Sequence, residues 1–163
     1  MVNVSNEFKT LMKTRTDFRA EATVTFTDNS TLELTPANFT MQNNGYTEGA
    51  GANGLPLGVL IGRTIEIELD NHAGGLSEYD FFGAEITLRL RFQLSAGVEK
   101  INVGTFTVLS PQTGGETITI TATDASWRTD KTYTTNVTFP ATLGTLFSDA
   151  CGACGISYQS LSF

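Results

Sequence analysis

The strongest constraint on the fold is the strict alternation of apolar and polar residues in one short segment after another. The first two segments, AEATVTF and TLELT, are separated by the turn residues TDNS, which predicts a β-hairpin over about residues 19–35. Four later segments alternate in the same way, at residues 59–71, 84–94, 99–110 and 117–124. Because turns and loops rather than helices separate these segments, the sequence predicts a mainly β protein, an antiparallel β-barrel or sandwich-like domain.

Two segments depart from this alternation, one near each end of the chain. Residues 5–14 place Phe8, Leu11 and Met12 at helical spacing, which predicts a short N-terminal helix at the edge of the sheet. Near the other end, one amphipathic helical face is predicted from Leu143, Leu146, Phe147, Ala150, Cys151 and Cys154. We expect Pro140 in the first turn of this helix and Gly155 just beyond its end.

The change of period near residue 139 predicts a domain boundary. Residues 1–138 would form the antiparallel β domain, and residues 139–163 would form the helix and the start of a following domain. The final residues, ISYQSLSF, look like a new strand that stops abruptly at Phe163. We therefore expect this chain to be a truncated form of a longer protein.

The stretch NNGYTEGAGANGLPLG, residues 43–58, holds five glycines and few large apolar groups, so we expect a long loop. It would either order against a partner chain or be a mobile insertion. The glycines at 49, 51 and 54 loosely match a dinucleotide-binding pattern. We reject that interpretation because no buried parallel strand precedes them and no helix follows.

Two details of strand pairing can also be predicted. A short strand is expected at NFTMQ, residues 38–42, and a turn at PQTGGE, residues 111–116. If the segments 59–71 and 84–94 paired, Glu66 and Glu68 would face Arg89 and Arg91 as favourable cross-strand neighbours.

Composition and charge exclude some classes of protein. The 163 residues suit one domain, or one domain and the start of another, and the formal net charge of -7 disfavours a nucleic-acid partner. The N-terminal residues MVNVSNEFKTLMKTRTDF contain no apolar region of the signal-peptide type, and no later window is apolar enough to span a membrane. We expect a soluble protein made without a signal peptide.

The spacing C-x-x-C at Cys151 and Cys154 is the motif that most resembles reactive chemistry. Redox dithiols lie at helix N-termini, where the helix dipole favours a thiolate, whereas these cysteines fall in the last turns of the predicted helix. A zinc site needs four ligands, and the lone His72 is far away in sequence. We therefore expect both sulfurs to pack on the apolar face of the helix, although redox and metal roles stay open as minor alternatives.

The remaining candidates carry no recognisable chemistry. His72, in DNHAGG, is expected to be a turn residue, because no nucleophile signature accompanies it. The acids Asp70, Glu78, Asp80 and Glu85 match no calcium loop and are expected to be solvated. The sequence predicts a protein that is not an enzyme, with no catalytic, cofactor-binding or metal-binding residues and no cofactor.

Four stretches in this order resemble the N-terminal region of tail-tip or baseplate-hub proteins from prophages of Gram-positive gut bacteria. The stretches are SEYDFFGAEITLRLRFQL (77–94), VEKINVGTFTV (98–108), TITITATDASWRTDKTY (117–133) and FPATLGTLFSDACGACGI (139–156). The elements that carry the resemblance are GTFTV, the aspartates and DK-Y that follow the next strand, PATL, and a helix ending in C-x-x-CGI. It covers most of residues 5–156, without the glycine-rich stretch and the last seven residues.

This resemblance implies a structural role rather than catalysis. Hub proteins of this family are homotrimers at the end of the virion tail, where they dock on a ring of distal tail protein and lead to further domains of their own chain. The implied location is the virion tail, assembled in the cytoplasm of the bacterial host. The loops at 43–58 and 71–83 would be the contact surfaces.

The alternative function is a β-rich carbohydrate-binding or adhesion module. Such modules present several exposed aromatic side chains to a sugar. The candidates here are Tyr46, Tyr79, Trp127 and Tyr133, which we expect to lie in the core or at an interface instead.

Overall fold

A computed structural model describes residues 4–14, 18–40, 44–49, 62–130 and 132–156. The helices are α1 (Asn6–Thr14) and α2 (Leu143–Ala153), and short 3-10 turns cover Pro36–Asn38 and Ala125–Thr129. The strands are β1 (Phe18–Thr25), β2 (Thr31–Leu34), β3 (Gly45–Gly49), β4 (Gly62–Asp70), β5 (Glu85–Leu94), β6 (Gly97–Gly114) and β7 (Thr117–Thr123). All described strand pairs are antiparallel, in the order β2-β1-β5-β6-β7-β4-β3.

The prediction of a mainly β fold with two short helices is therefore confirmed. The β1–β2 hairpin joins Thr25 to Thr31 through the predicted turn. Because the outer strands β2 and β3 do not pair with each other within the described residues, the sheet is open and sandwich-like rather than a closed barrel.

The long strand β6 joins two halves of the sheet. The first half contains β2, β1 and β5, and the second contains β7, β4 and β3. Its first part pairs with β5 as far as Thr107, and its second part pairs with β7 from Thr107 onward. Two register shifts, one near Val103 and one at Leu109, accompany the change of partner. Such irregularities bend a strand, and here they allow β6 to contribute to both halves.

The hydrophobic core lies between these halves. One contiguous cluster contains Ala22 and Val24 of β1 together with Ile65 and Leu69 of β4, although β1 and β4 are far apart in the strand order. The sheet must therefore fold over so that its two halves face each other. Phe81, in the loop between β4 and β5, is also buried in this cluster.

The predicted turn at residues 111–116 is wrong over most of its length. Residues 111–114 continue β6, with Pro111 opposite Ile120, and only Gly115 and Glu116 form the turn. Proline is tolerated in edge strands because its missing N–H can face an unpaired side. At Pro111, β6 pairs with β7 alone among the described strands, which explains why the strand survives there.

The predicted loop at 43–58 and the predicted strand at 38–42 also need correction. Gly45–Gly49 forms β3, an edge strand whose backbone pairs with β4, while residues 50–58 lie outside the described part of the chain. Phe39 makes only an isolated bridge to Leu69, and residues 41–43 are not described. Main-chain pairing with β4 thus orders a glycine-containing segment that has little apolar surface.

The predicted pairing of Glu66 and Glu68 with Arg89 and Arg91 is wrong. Glu66 and Glu68 lie opposite Thr121 and Thr119 of β7. The β6–β7 hairpin places β7 beside β4, so β4 and β5 are not neighbours.

Helix α1 packs at the tip of the β5–β6 hairpin. The Phe8 ring meets the Phe92 ring edge to face, with centroids 4.7 Å apart. The Glu7 carboxylate accepts hydrogen bonds from the backbone N–H and hydroxyl of Ser95, at 2.7 and 2.9 Å. The predicted N-terminal helix at the edge of the sheet is confirmed, although the side chains of residues 11 and 12 lie outside the described part.

Helix α2 begins later than predicted and ends where predicted. Thr142 caps its first turn by accepting a hydrogen bond from the Thr145 N–H, so Pro140 precedes the helix instead of lying in its first turn. At the other end, Gly155 has φ of 65°, and the Ile156 N–H donates to the Cys151 carbonyl at 2.9 Å. This is a Schellman motif, which requires a left-handed residue that glycine adopts without strain.

No helix within the described residues is both long and apolar enough to cross a membrane. The predicted boundary at residue 139 stays a prediction, and the predicted strand after Ile156 lies outside the described residues.

Candidate functional site

The two cysteines lie at the C-terminal end of α2, as predicted from the sequence. Cys151 is in the last turn and Cys154 is the capping residue, and both are free thiols. Each is half-buried, and the packing of their sulfurs on or beside the apolar face of α2 stays a prediction. Neither lies at a helix N-terminus, where a redox dithiol would have its thiolate stabilised.

The histidine and the acidic residues have local structural roles. His72 is an exposed turn residue whose Nδ1 lies 3.5 Å from Oε1 of Glu116. The carboxylates of Asp70 and Asp80 accept hydrogen bonds from backbone N–H groups two residues later, and Glu85 lies 3.7 Å from the Arg128 guanidinium. Within the described part of the chain, His, Cys, Asp and Glu nowhere form a group of three that could hold a metal ion.

An ion pair that sequence reasoning missed joins the start of β4 to the end of β7. Arg63 Nε donates to Asp124 Oδ2 at 3.0 Å, and the Asp124 N–H donates to the Arg63 carbonyl at 2.9 Å. The Arg63 guanidinium also donates to the Val103 carbonyl and lies 5.9 Å from the centroid of the Phe106 ring. The contacts of Arg63 with Val103 and Phe106 tie the start of β4 to β6. Arg63 and Asp124 are 61 positions apart in sequence, and Arg63 and Val103 are 40 apart.

The environment of Asp124 lowers the pKa of its carboxyl group. Burial alone raises this pKa, but hydrogen bonds from Ser126 and Arg63 outweigh burial because they stabilise the carboxylate. Asp124 also raises the pKa of Arg63 by accepting its hydrogen bond. Since a depressed carboxyl pKa favours the folded state above the unfolded value, this stabilisation is present at neutral pH and is lost as pH falls through the folded pKa.

We expect Asp124→Asn to lower the free energy of unfolding by about 2 kcal/mol at pH 7, because it removes a charged hydrogen-bond acceptor from Arg63. The difference from the unchanged protein should shrink at acidic pH, as pH falls through the lowered pKa of the native Asp124 carboxyl and this carboxyl becomes protonated as well. Urea titrations from neutral to acidic pH would measure it. Asp130→Asn is the matched control, and a constant difference at all pH values would contradict the role given to Asp124.

A second junction missed by sequence reasoning is centred on Asn71, which follows β4 and is 5% exposed. Its Nδ2 donates to Ser77 Oγ at 2.8 Å and to the Gly115 carbonyl at 3.0 Å. Its Oδ1 accepts from the Leu76 N–H at 2.9 Å, and its own N–H donates to the Glu116 carbonyl at 2.8 Å. The side chain therefore fixes the 71–84 loop to the β6–β7 turn.

The most exposed apolar groups in the described chain include three that precede or belong to α2. Phe139, Leu143 and Phe147 are 63%, 69% and 53% exposed. We call these three residues the C-terminal apolar surface. The helix is attached to the preceding segment through Asp149, whose carboxylate accepts hydrogen bonds from Tyr133 and Thr135.

The aromatic residues considered for sugar binding are exposed rather than in the core. Tyr46, Tyr79, Trp127 and Tyr133 belong to four different parts of the chain, and Tyr79 stacks on Phe26 with ring centroids 5.2 Å apart. Trp127 lines a shallow depression of about 280 Å³ with Arg128, Asp130 and Cys154. Of the two expected locations, the core or an interface, their exposure excludes the core, and the interface role stays a prediction.

No protein-family model, curated protein or solved structure matches this chain. What the chain does must therefore be inferred from its own residues and surfaces.

Proposed function

We propose that this chain is a structural component of a phage tail tip or baseplate hub and acts as an assembly scaffold through protein-protein contacts. Its partners would be other tail proteins, including a distal tail ring, and further domains of its own chain. The full assembly would be a homotrimer in the virion tail, put together in the cytoplasm of the bacterial host. The ordered similarity of the four stretches between residues 77 and 156 supports this assignment.

The observation that carries the scaffold role is the C-terminal apolar surface. An apolar side chain gains about 1.5–3 kcal/mol when it is fully buried, so leaving Phe139, Leu143 and Phe147 in water forgoes stability that a partner could supply. Leu143 and Phe147 are four residues apart and so lie on one face of α2, and exposed apolar groups that share a face are typical of interaction sites. A scaffold that assembles through protein-protein contacts needs such surfaces.

We expect Leu143→Glu/Phe147→Glu to reduce incorporation of the chain into tail particles at least tenfold, because two carboxylates would be buried against a partner. The gene would be tagged in its native lysogen, particles would be induced and purified, and the tag would be quantified and located by gold labelling. The thermal midpoint should change little, since both side chains are already exposed.

Ser148→Glu, an exposed position on α2, is the matched control and should leave incorporation unchanged. Absence of the unmodified tagged chain from purified particles would contradict the phage assignment itself. Normal incorporation of the double variant would contradict only the role of the C-terminal apolar surface.

Sugar binding is the second candidate function, and the depression beside Trp127 favours it. An exposed indole next to Arg128 and Asp130 combines a stacking surface with hydrogen-bonding groups, as sugar sites do. Saturable binding of a bacterial wall polysaccharide that Trp127→Ala abolishes would favour this function over the scaffold.

A further inference from the structure

Three basic residues stand side by side on the outer face of the sheet. Arg19 of β1 lies directly opposite Arg91 of β5, which lies directly opposite Lys100 of β6. Directly paired residues project to the same face. The next residues along β1 and β5, Ala20 and Leu90, project to the core side, so the basic row projects away from the core.

A second row lies two residues further along the same strands. It contains Glu21, Arg89 and Asn102, again directly paired. Adjacent strands are about 4.8 Å apart, and residues two apart on one strand are about 6.7 Å apart. Arg19, Arg89, Arg91 and Lys100 therefore occupy a rectangle of about 10 by 7 Å, which we call the basic sheet face.

This face has more positive charge than its own acid can balance. Lys100 Nζ lies 2.6 Å from Oε1 of Glu21, so the one carboxylate of the two rows is already paired. Arg89 donates to the Thr23 hydroxyl at 2.9 Å, and that hydroxyl donates to the Glu33 carboxylate at 2.8 Å, so Arg89 is linked to an acid outside the two rows. Within the described residues, no carboxylate lies within ion-pair distance of Arg19 or Arg91.

The arrangement is unfavourable for the isolated chain. Like charges directly opposite each other on paired strands destabilise a sheet, and here three occur in one row. The basic sheet face holds four of the ten basic residues in a chain whose formal net charge is -7. Residues that reduce local stability in this way are typical of surfaces that bind a partner.

We infer that the basic sheet face docks an acidic surface of a partner protein that presents two or more carboxylates to Arg19 and Arg91. Arginine suits this role because its planar guanidinium binds carboxylates through two parallel hydrogen bonds. Carboxylates match the two parallel hydrogen bonds that each guanidinium offers, whereas four basic residues in a chain of formal net charge -7 are few for the extended phosphate array of a nucleic acid. This inference rests on the proposed function, because the assembly role is the reason for taking the partner to be a protein.

The test compares binding of a short poly-L-glutamate chain with binding of a DNA duplex of equal charge, at low and at physiological salt. Arg19→Gln/Arg91→Gln removes the two cations that have no carboxylate within ion-pair distance among the described residues. Lys9→Gln/Lys13→Gln removes the same charge from exposed positions on α1 and is the matched control. Calorimetric titration measures affinity, and thermal melting shows that each variant is folded.

We expect polyglutamate to bind the unmodified chain more tightly than DNA does. The affinity for polyglutamate should fall at least tenfold in Arg19→Gln/Arg91→Gln and less than twofold in the control. The thermal midpoint of Arg19→Gln/Arg91→Gln should equal or exceed that of the unmodified chain, because a repulsive pair is removed.

Equal losses in both double variants would show an effect of net charge and would overturn the inference. Tighter binding of DNA, or a lower thermal midpoint for Arg19→Gln/Arg91→Gln, would also overturn it. These binding results do not depend on whether the chain is incorporated into tail particles. A wrong inference about the basic sheet face can therefore be distinguished from a wrong phage assignment.

Discussion

Replacement of Phe106 by alanine is expected to lower the free energy of unfolding by about 3–5 kcal/mol. Phe106 is 0% exposed and lies one residue before Thr107, where β6 changes partner from β5 to β7. Its ring packs in the core between the two halves of the sheet, with the Arg63 guanidinium 5.9 Å from its centroid. Removing the ring would open a cavity at the place where the halves join, and it would also remove the cation-π contact.

Urea unfolding at neutral pH would measure this loss. Leu109→Ala is the control on the same strand, and because Leu109 is 43% exposed its loss should be below about 1 kcal/mol. Phe106→Leu keeps most of the volume and should cost about 1–2 kcal/mol, which provides a measurable variant if the alanine protein does not fold. Similar losses at Phe106 and Leu109 would contradict the placement of the core.

The second large effect is expected at Asn71, where replacement by alanine should cost about 2–4 kcal/mol. The substitution removes three side-chain hydrogen bonds and leaves the Leu76 N–H and the Gly115 carbonyl without their partner. The cost exceeds that of one ordinary hydrogen bond because the Leu76 N–H is buried, and a buried donor left unsatisfied bears the full desolvation penalty.

Asn71→Asp separates the two kinds of contact. A carboxylate can still accept from the Leu76 N–H, but it cannot donate to Ser77 or to the Gly115 carbonyl, so it too should be strongly destabilising. Asn102→Ala, at an exposed position of β6, should change the unfolding free energy by less than about 0.5 kcal/mol. If hydrogen exchange of the Leu76 amide were as slow in Asn71→Ala as in the unmodified chain, Asn71 would not hold the loop.

Features of the fold that depend on nearby residues could be predicted from the sequence. The β1–β2 hairpin was predictable because alternation and turn residues specify it within one short stretch. Gly155 was predictable as the end of α2 because only a residue that tolerates positive φ suits that position. The pairing partner of β4 was not predictable, since β7 is about fifty residues away and alternation alone does not choose between strands.

The surfaces were less predictable than the fold, for a related reason. The row formed by Arg19, Arg91 and Lys100 exists only because three distant segments are in register. Arg63 and Asp124 likewise meet only after β4 and β7 pair. The exposure of α2 could not be inferred from its apolar face, because the same pattern is typical of a helix packed on a core.

The strands of the two halves alternate along the sequence, and this alternation determines which part of the chain unfolds cooperatively. β1 and β2 lie in one half, β3 and β4 in the other, β5 in the first again, and β6 passes from the first into the second beside β7. Neither half is a continuous stretch of sequence. Dividing the chain at one peptide bond therefore cannot give two fragments that each contain all the strands of one half. We therefore expect the seven described strands to gain or lose their packing as one unit, whereas α2 follows β7 in the chain and belongs to neither half of the sheet.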